Sequence, residues 1–260
     1  MADPFIEVND LTVSIGSVRV VDQLNFNLNA GQTLGVLGPN GIGKTTLLKT
    51  IAGVYQADRG EIHLQGRALE AWPRKALAQR LGLLLQHTHY AFEASCEDIA
   101  LIGRHPHLSA LARESDADRA LARKALHEVG LGDFIKRSCM NLSGGESRRL
   151  ALATLLVQDP KLMLLDEPTN HLDPAHQVAS LNLIFERVKN QSHAAIMALH
   201  DANLAACYCS HVLLLFGQGE WAFGLTKQLL NAATLSRLYG CPIRCIKDDD
   251  QEVFAIGNAV

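Results

Sequence analysis

No apolar run in this chain approaches the roughly 18 residues a helix needs to cross a bilayer. The start, Met1-Ala2-Asp3-Pro4-Phe5-Ile6-Glu7, is acidic and lacks the basic-then-apolar order of an export signal, so a protein made and kept in the cytosol is expected. There is no basic excess. Twenty-four Lys and Arg stand against 27 Asp and Glu, a net charge of −3, which gives no reason to expect nucleic acid or an acidic membrane surface as a partner. The six cysteines, 96, 139, 207, 209, 241 and 245, form no Cys-x-x-Cys pair. Cys207 and Cys209, two apart on an expected helix, point in different directions, which fits reduced, partly buried thiols rather than a metal site. Internal repeats, low-complexity tracts and long linkers are also missing. What remains is 260 residues, 48% of them hydrophobic, enough for one large or two small domains with a sizeable core.

The most informative stretch present is Gly38-Pro39-Asn40-Gly41-Ile42-Gly43-Lys44-Thr45-Thr46. A loop that wraps phosphates needs backbone N–H groups turned inward, and Gly38, Gly41 and Gly43 permit that curvature. Such a loop must follow a buried strand and open a helix whose N-terminus favours negative charge. Thr33 to Leu37 reads as the strand. Thr45 to Ala52 reads as the helix, with Leu47, Leu48 and Ile51 on one face and Gly53 to end it. Lys44 is then placed to contact the β- and γ-phosphates, and the Thr45 hydroxyl to bind Mg²⁺.

Three further apolar runs end in a polar residue, as parallel strands buried on both faces do. Leu81 to Leu85 ends at Gln86, Leu162 to Leu165 at Asp166-Glu167, and Ala195 to Leu199 at His200. Ligands of open α/β sheets bind beyond the carboxyl ends of the strands, so these side chains are expected to converge on the nucleotide. Their types suit phosphoanhydride hydrolysis. Asp166 fits a metal carboxylate. Glu167 fits a general base that polarises water. Gln86 fits a residue orienting that water or the Mg²⁺ shell, and His200 a donor to the γ-phosphate. Singly, each has a plainer structural reading, such as a helix cap for the carboxylates or a buried histidine. Together with the phosphate loop they form a set.

The chain also carries Leu142-Ser143-Gly144-Gly145-Glu146 before an expected helix, Glu146 to Val157, which places a hydroxyl and N–H groups at a positive helix end. With these motifs in this order, the sequence resembles the ATP-binding cassette ATPases, the motor subunits of ABC transporters, over nearly its whole length. The resemblance identifies Gly38 to Thr45 as Walker A, Gln86 as the Q-loop residue, Leu142 to Glu146 as the signature and Leu162 to Asp166 as Walker B. It makes Glu167 the catalytic carboxylate, Asn170-His171-Leu172-Asp173 the D-loop and His200 the H-loop histidine. It implies ATP and Mg²⁺ as cofactors, a P-loop NTPase core with a parallel sheet, an N-terminal antiparallel β region and an inserted α-helical subdomain. It also implies a head-to-tail homodimer, each ATP lying between one copy's Walker A and the other's Ser143-Gly144-Gly145, with Asp173 counted among the nucleotide-binding residues. One departure is visible. Where the family usually stacks an aromatic residue on adenine, this chain has Ile15, which packs but does not stack.

Residues 5–30 and Glu61 to Leu64 read as antiparallel strands. Ser115-Asp116-Ala117-Asp118 reads as a capping box opening a helix to about Val129, closed by Gly130. The stretch 211–260 reads as strands and turns around a short helix near Leu235, with Lys247 to Asp250 as a hairpin turn. The expected division is a single cassette: 1–88 with 158–260 as the RecA-like core and β region, and 89–157 as the helical signature subdomain. Gly103-Arg104-His105-Pro106, the segment lengths and the compact C-terminal end resemble the importer ATPases for iron-siderophore, haem and cobalamin complexes. Ala71-Trp72 leans toward the cobalamin type. The resemblance implies integral-membrane permease subunits as partners, a substrate-binding protein indirectly, and a peripheral position on the cytoplasmic face of the inner membrane. The histidines of His87-Thr88-His89 and His105-Pro106-His107 read as exposed loop residues beside the docking surface, and Trp72 and Trp221 as packing residues. An alternative is a soluble ABC ATPase in iron–sulfur cluster or other assembly, or the motor of a different transporter, since the motifs do not encode direction. A coiled-coil DNA-repair ATPase is disfavoured because residues 54–141 are too short for its long heptad insert. A translation-factor type would need two cassettes in one chain.

Overall fold

The structure is a computed structural model that describes residues 4–86, 90–109, 112–190, 193–248 and 251–257. His87, Thr88, His89, Asp249 and Asp250 therefore lie outside the described residues. The chain falls into two compact units, Met1–Ala71 with Ala194–Val260, and Trp72–His193.

The first unit begins with β1 (Ile6–Ile15) and β2 (Val18–Leu28), then β3 (Thr33–Leu37), α1 (Lys44–Ile51), β4 (Arg59–Leu64) and β5 (Arg67–Ala68). β2, β1, β4 and β5 form an antiparallel sheet in that order. The runs Ile6-Glu7-Val8 and Leu11-Thr12-Val13 belong to one strand. A register shift between Val8 and Leu11, with Asp10 at φ +49°, joins them, and this irregularity breaks the simple alternation in the sequence.

In the second unit come α2 (Arg74–Ala78), β6 (Leu81–Leu84), α3 (Cys96–Leu101), α4 (Asp116–Glu128), α5 (Gly144–Gln158), β7 (Leu162–Asp166) and α6 (Pro174–Asn190). β6 and β7 are parallel, Leu84 opposite Leu165. Between them stand the helices, with α5 at their centre. Leu150 to Ala153 and Leu155 to Val157 are all buried, so α5 is apolar nearly all round, as a helix enclosed by others must be. α5 starts at Gly144 rather than Glu146, because Ser143 is its N-cap. Ser143 Oγ accepts from the Glu146 N–H, and the Glu146 carboxylate accepts from the Ser143 N–H at 2.7 Å. α4 has the capping box at Ser115 and Asp118, and Gly130 follows it at φ +71°.

The Gly103-Arg104-His105-Pro106 stretch is an internal brace of this unit. It forms a 3₁₀ turn against α5, and a Cβ on Gly103 would stand 2.3 Å from the Thr154 carbonyl oxygen, so only glycine fits. Arg104 donates to Asp118 of α4 at 2.8 Å and to the Val157 carbonyl at 3.4 Å. The Pro106 carbonyl accepts from Gln79 at 2.7 Å, and His107 Nε2 lies 2.8 Å from the Gln158 carbonyl oxygen. His105 and His107 are both exposed. Hydrogen bonds from Ser115, with Arg104 adding to them, hold the Asp118 carboxyl down at about 2. Trp72 packs under the Arg80 guanidinium, 4.4 Å from its ring centre.

The chain returns to the first unit with β8 (Ala194–Ala198), α7 (Ala202–Tyr208), β9 (His211–Gly217), β10 (Glu220–Leu225), α8 (Thr226–Leu229), α9 (Ala232–Tyr239), β11 (Ile243–Asp248) and β12 (Gln251–Ile256). β3 lies between β8 and β9, parallel to both, and β10 runs antiparallel beyond β9. Every residue of β3 and of β8 is buried, which explains their unbroken apolar runs. The terminal hairpin, β11 with β12, is tied to α7 by Asn203. Its side-chain amide donates to the Phe254 carbonyl at 3.1 Å and accepts from the Phe254 N–H at 2.7 Å.

Candidate active site

The first unit carries the phosphate loop. β3 delivers the chain to Gly38, and α1 begins six residues later at Lys44. Gly43 is the N-cap of α1, in the left-handed region at φ +108°, where a Cβ would stand 2.5 Å from Val20. No side-chain hydrogen bond caps this helix start, and an N-terminus that follows a glycine-rich loop is the arrangement that anion sites use. Lys44 is buried, and its ammonium donates to the Gly38 carbonyl at 2.7 Å and the Pro39 carbonyl at 3.1 Å. Thr45 and Thr46 open the helix half-buried. β8 runs parallel to β3 with Ala198 opposite Val36, so His200 leaves the sheet at the same end as the loop. His200 is exposed. Its carbonyl accepts from the Tyr239 hydroxyl at 3.3 Å, and burial pushes that phenol up to about 12. Ile15 is the last residue of β1 and is 45% exposed.

The second unit carries the acidic strand end. Because β6 and β7 are parallel and in register, Gln86 and Asp166-Glu167 emerge side by side. Gln86 Nε2 donates to Glu167 Oε2 at 2.8 Å, and Asn170 Nδ2 donates to the same oxygen at 2.9 Å. Glu167 is 9% exposed and sits at φ +53°, a left-handed conformation that strains a residue with a Cβ by about 1–2 kcal/mol. Asp166 is 1% exposed. Within this unit its carboxylate and the Gln86 amide oxygen are hard oxygen donors, of the kind that suits Mg²⁺ rather than a soft transition metal. Asp173 accepts from the His176 N–H at 2.9 Å and lies 2.8 Å from His176 Nδ1 at the start of α6. These two contacts hold its carboxyl below the usual range. Ser143 and Gly144 are exposed at the N-terminus of α5, with Gly145 half-buried.

Within the units the structure brings together Gln86 with Glu167, Lys44 with the loop it follows, and Ser143 with Glu146. Sequence reasoning did not single out Arg148. This residue of α5 is 6% exposed and donates to the carbonyls of Leu85, Gln86, Asp166 and Glu167. The signal was present: Arg148, Leu152 and Leu155 share one helix face, so an arginine continues a buried stripe. Asn170 as a second donor to Glu167 had no comparable signal, because its reach depends on the turn that follows β7.

Comparison with known proteins finds relatives along nearly the whole chain. Residues 21–170 match the family described as ABC transporter. The hemin import ATP-binding protein HmuV of Pseudomonas entomophila (strain L48) is 37% identical over 92% of this chain and 93% of its own length. The ferric enterobactin transport ATP-binding protein FepC of Escherichia coli (strain K12) is 32% identical over 92% and 88%. The solved structure of a putative metal-chelate type ABC transporter in an inward-facing conformation aligns with a TM-score of 0.85 and 28% identity, covering 98% of both chains. With a family match over more than half of its length, and a relative this similar along almost all of it, the chain belongs to the ABC transporter family as an ATP-binding ATPase with the P-loop NTPase fold.

Proposed function

We propose that this ATPase is the motor of an importer for a metal chelate of the haem, iron-siderophore or cobalamin class, working with integral-membrane permease subunits and, through them, a substrate-binding protein. It would act peripherally on the cytoplasmic face of the inner membrane as a head-to-tail homodimer. No described helix is long and apolar enough to cross a membrane. Residues 89–157 would be the helical signature subdomain and the remainder the RecA-like core with its β region. Similarity to the hemin and ferric enterobactin import proteins supports the chelate class, and the gap between 37% and 32% identity does not choose within it.

The observation that carries the catalytic reading is the Gln86–Glu167 hydrogen bond on adjoining parallel strand ends, beside the buried Asp166. In this reading Gly38 to Thr46 wrap the triphosphate, and its β- and γ-phosphates draw Lys44 from the Gly38 and Pro39 carbonyls. Thr45, Asp166 and Gln86 would hold Mg²⁺, and the chemistry it would supply is neutralisation of charge on the phosphate oxygens. Glu167 accepts a proton from the attacking water, Gln86 orients that water, and His200 donates to the γ-phosphate where charge grows. Ser143, Gly144, Gly145 and Asp173 address the nucleotide of the second copy, and Ile15 packs against the adenine. The test is reconstitution with the co-purified permease in liposomes and ATP-driven uptake of haem, a ferric siderophore and cobalamin, each assayed separately. Uptake of one of them is the expected result. ATPase activity with only soluble partners, and no uptake of any chelate, would overturn the transport reading.

A further inference from the structure

The signature turn and the catalytic strand ends are joined inside one protomer by a single buried cation. Arg148 lies five residues after Ser143 on the helix that Ser143 caps. Its Nη1 donates to the Leu85 carbonyl and, at 3.3 Å, to the Gln86 carbonyl, so it grips the end of β6. Its Nη2 donates to the Asp166 carbonyl and, at 2.7 Å, to the Glu167 carbonyl, so it grips the end of β7. The planar fork of a guanidinium can reach two pairs of carbonyls at once, which an ammonium cannot. A buried cation is tolerated only where such partners replace water. The Asp166 and Glu167 carboxylates favour its charge, and burial leaves its pKa at about 10, so it stays protonated at neutral pH. The Glu167 carbonyl it holds belongs to the residue at φ +53°, whose backbone needs external restraint to stay there.

We propose that Arg148 is a positioning residue that locks the peptides of Gln86 and Glu167 to helix α5, so that a load on the Ser143-Gly144-Gly145 turn is transmitted to the hydrolytic geometry of the same protomer. The proposal rests on the catalytic reading of Gln86 and Glu167 above. It departs from that reading by giving α5 a second task at its own protomer's site.

The experiment compares Arg148→Lys and Arg148→Gln with the unaltered full chain, and runs Glu167→Gln beside them. The readouts are steady-state ATPase kinetics, equilibrium binding of a fluorescent ATP analogue and thermal unfolding. Misplacing a reacting group by about 1 Å can lower a rate about 10²-fold, so kcat should fall between 10- and 100-fold in both Arg148 variants while ATP affinity stays within about twofold. Arg148→Lys, which keeps the charge and loses the fork, should not rescue kcat. Wild-type kcat in Arg148→Lys, or a loss of affinity equal to the loss of kcat, overturns the proposal. Wild-type turnover in Glu167→Gln instead removes the catalytic reading itself, so the two failures are distinguishable. Should both Arg148 variants unfold, arginine side-chain ¹⁵N spectra of the unaltered chain decide. A non-hydrolysable ATP analogue should shift the Arg148 Nη resonances, and unshifted resonances overturn the proposal.

Discussion

Neutralising Asp118 tests whether the Gly-Arg-x-Pro stretch is an internal brace. Asp118 receives hydrogen bonds from the Ser115 N–H at 2.9 Å, the Ser115 hydroxyl at 2.7 Å and Arg104 Nε at 2.8 Å, and is largely buried. Its carboxyl is held at about 2, against 3.8 for a free aspartate. One pKa unit corresponds to about 1.4 kcal/mol, so the ionised form contributes about 2 kcal/mol of stability at pH 7. A depressed carboxylate pKa stabilises above the unfolded value and loses that contribution as pH falls through the folded value. Linkage over the two pKa values leaves about 1 kcal/mol at pH 3, and less below pH 2. Asp118→Asn keeps the shape and one acceptor oxygen while removing the charge. Denaturant titrations at pH 7 and pH 3 should therefore give a stability difference from the unaltered chain of about 2 kcal/mol that shrinks to about half. A difference that does not change with pH, or one below about 1 kcal/mol at pH 7, would show that Arg104 and Ser115 do not hold Asp118 as described.

Glu167→Gln should bind MgATP, accumulate as an ATP-stabilised dimer on gel filtration and lose turnover; wild-type hydrolysis would sink the general-base assignment. Lys44→Ala should lose tight triphosphate binding in a fluorescence titration, and unchanged affinity would mean that the loop contacts phosphate some other way. Gly43→Ala drives a Cβ toward Val20 at a left-handed position, so it should lower both thermal stability and ATP affinity, by at least about 1 kcal/mol in unfolding free energy. Removing Mg²⁺ with EDTA should abolish hydrolysis while calcium restores little of it, since octahedral oxygen coordination at short distance is what Mg²⁺ supplies.

The strands of the site were legible because each is a short run of apolar residues ending in one polar side chain, the local mark of a strand covered on both faces. Gln86, Asp166, Glu167 and His200 could be placed at strand ends on that mark alone. Helix caps at Ser115 and Gly130 were equally local. Three things were not local. Asp10 interrupts β1 with a bulge, so one strand read as two. Ser143 was read for its hydroxyl and not as the N-cap that moves the start of α5 to Gly144. Arg148 reaches carbonyls more than 60 residues away, and only its place in a buried stripe hints at it. The Gly103 to Pro106 stretch resembled a transporter subgroup in sequence, whereas its physical work is packing: a backbone contact, an ion pair and two carbonyls. A short motif can thus mark a lineage through its architecture without touching the cargo.

The left-handed backbone at Glu167 has a consequence for inheritance. At that position the conformation suits glycine, and glutamate and glycine codons differ by one base. A single change to glycine would remove the carboxylate, relieve about 1–2 kcal/mol of strain and leave the β6 and β7 ends gripped through backbone carbonyls. The product would be a sound, folded subunit that holds nucleotide and cannot spend it. Quality control that senses unfolding would let it through. In this design silent inactivation lies one mutation away, and only selection on transport itself stands against it.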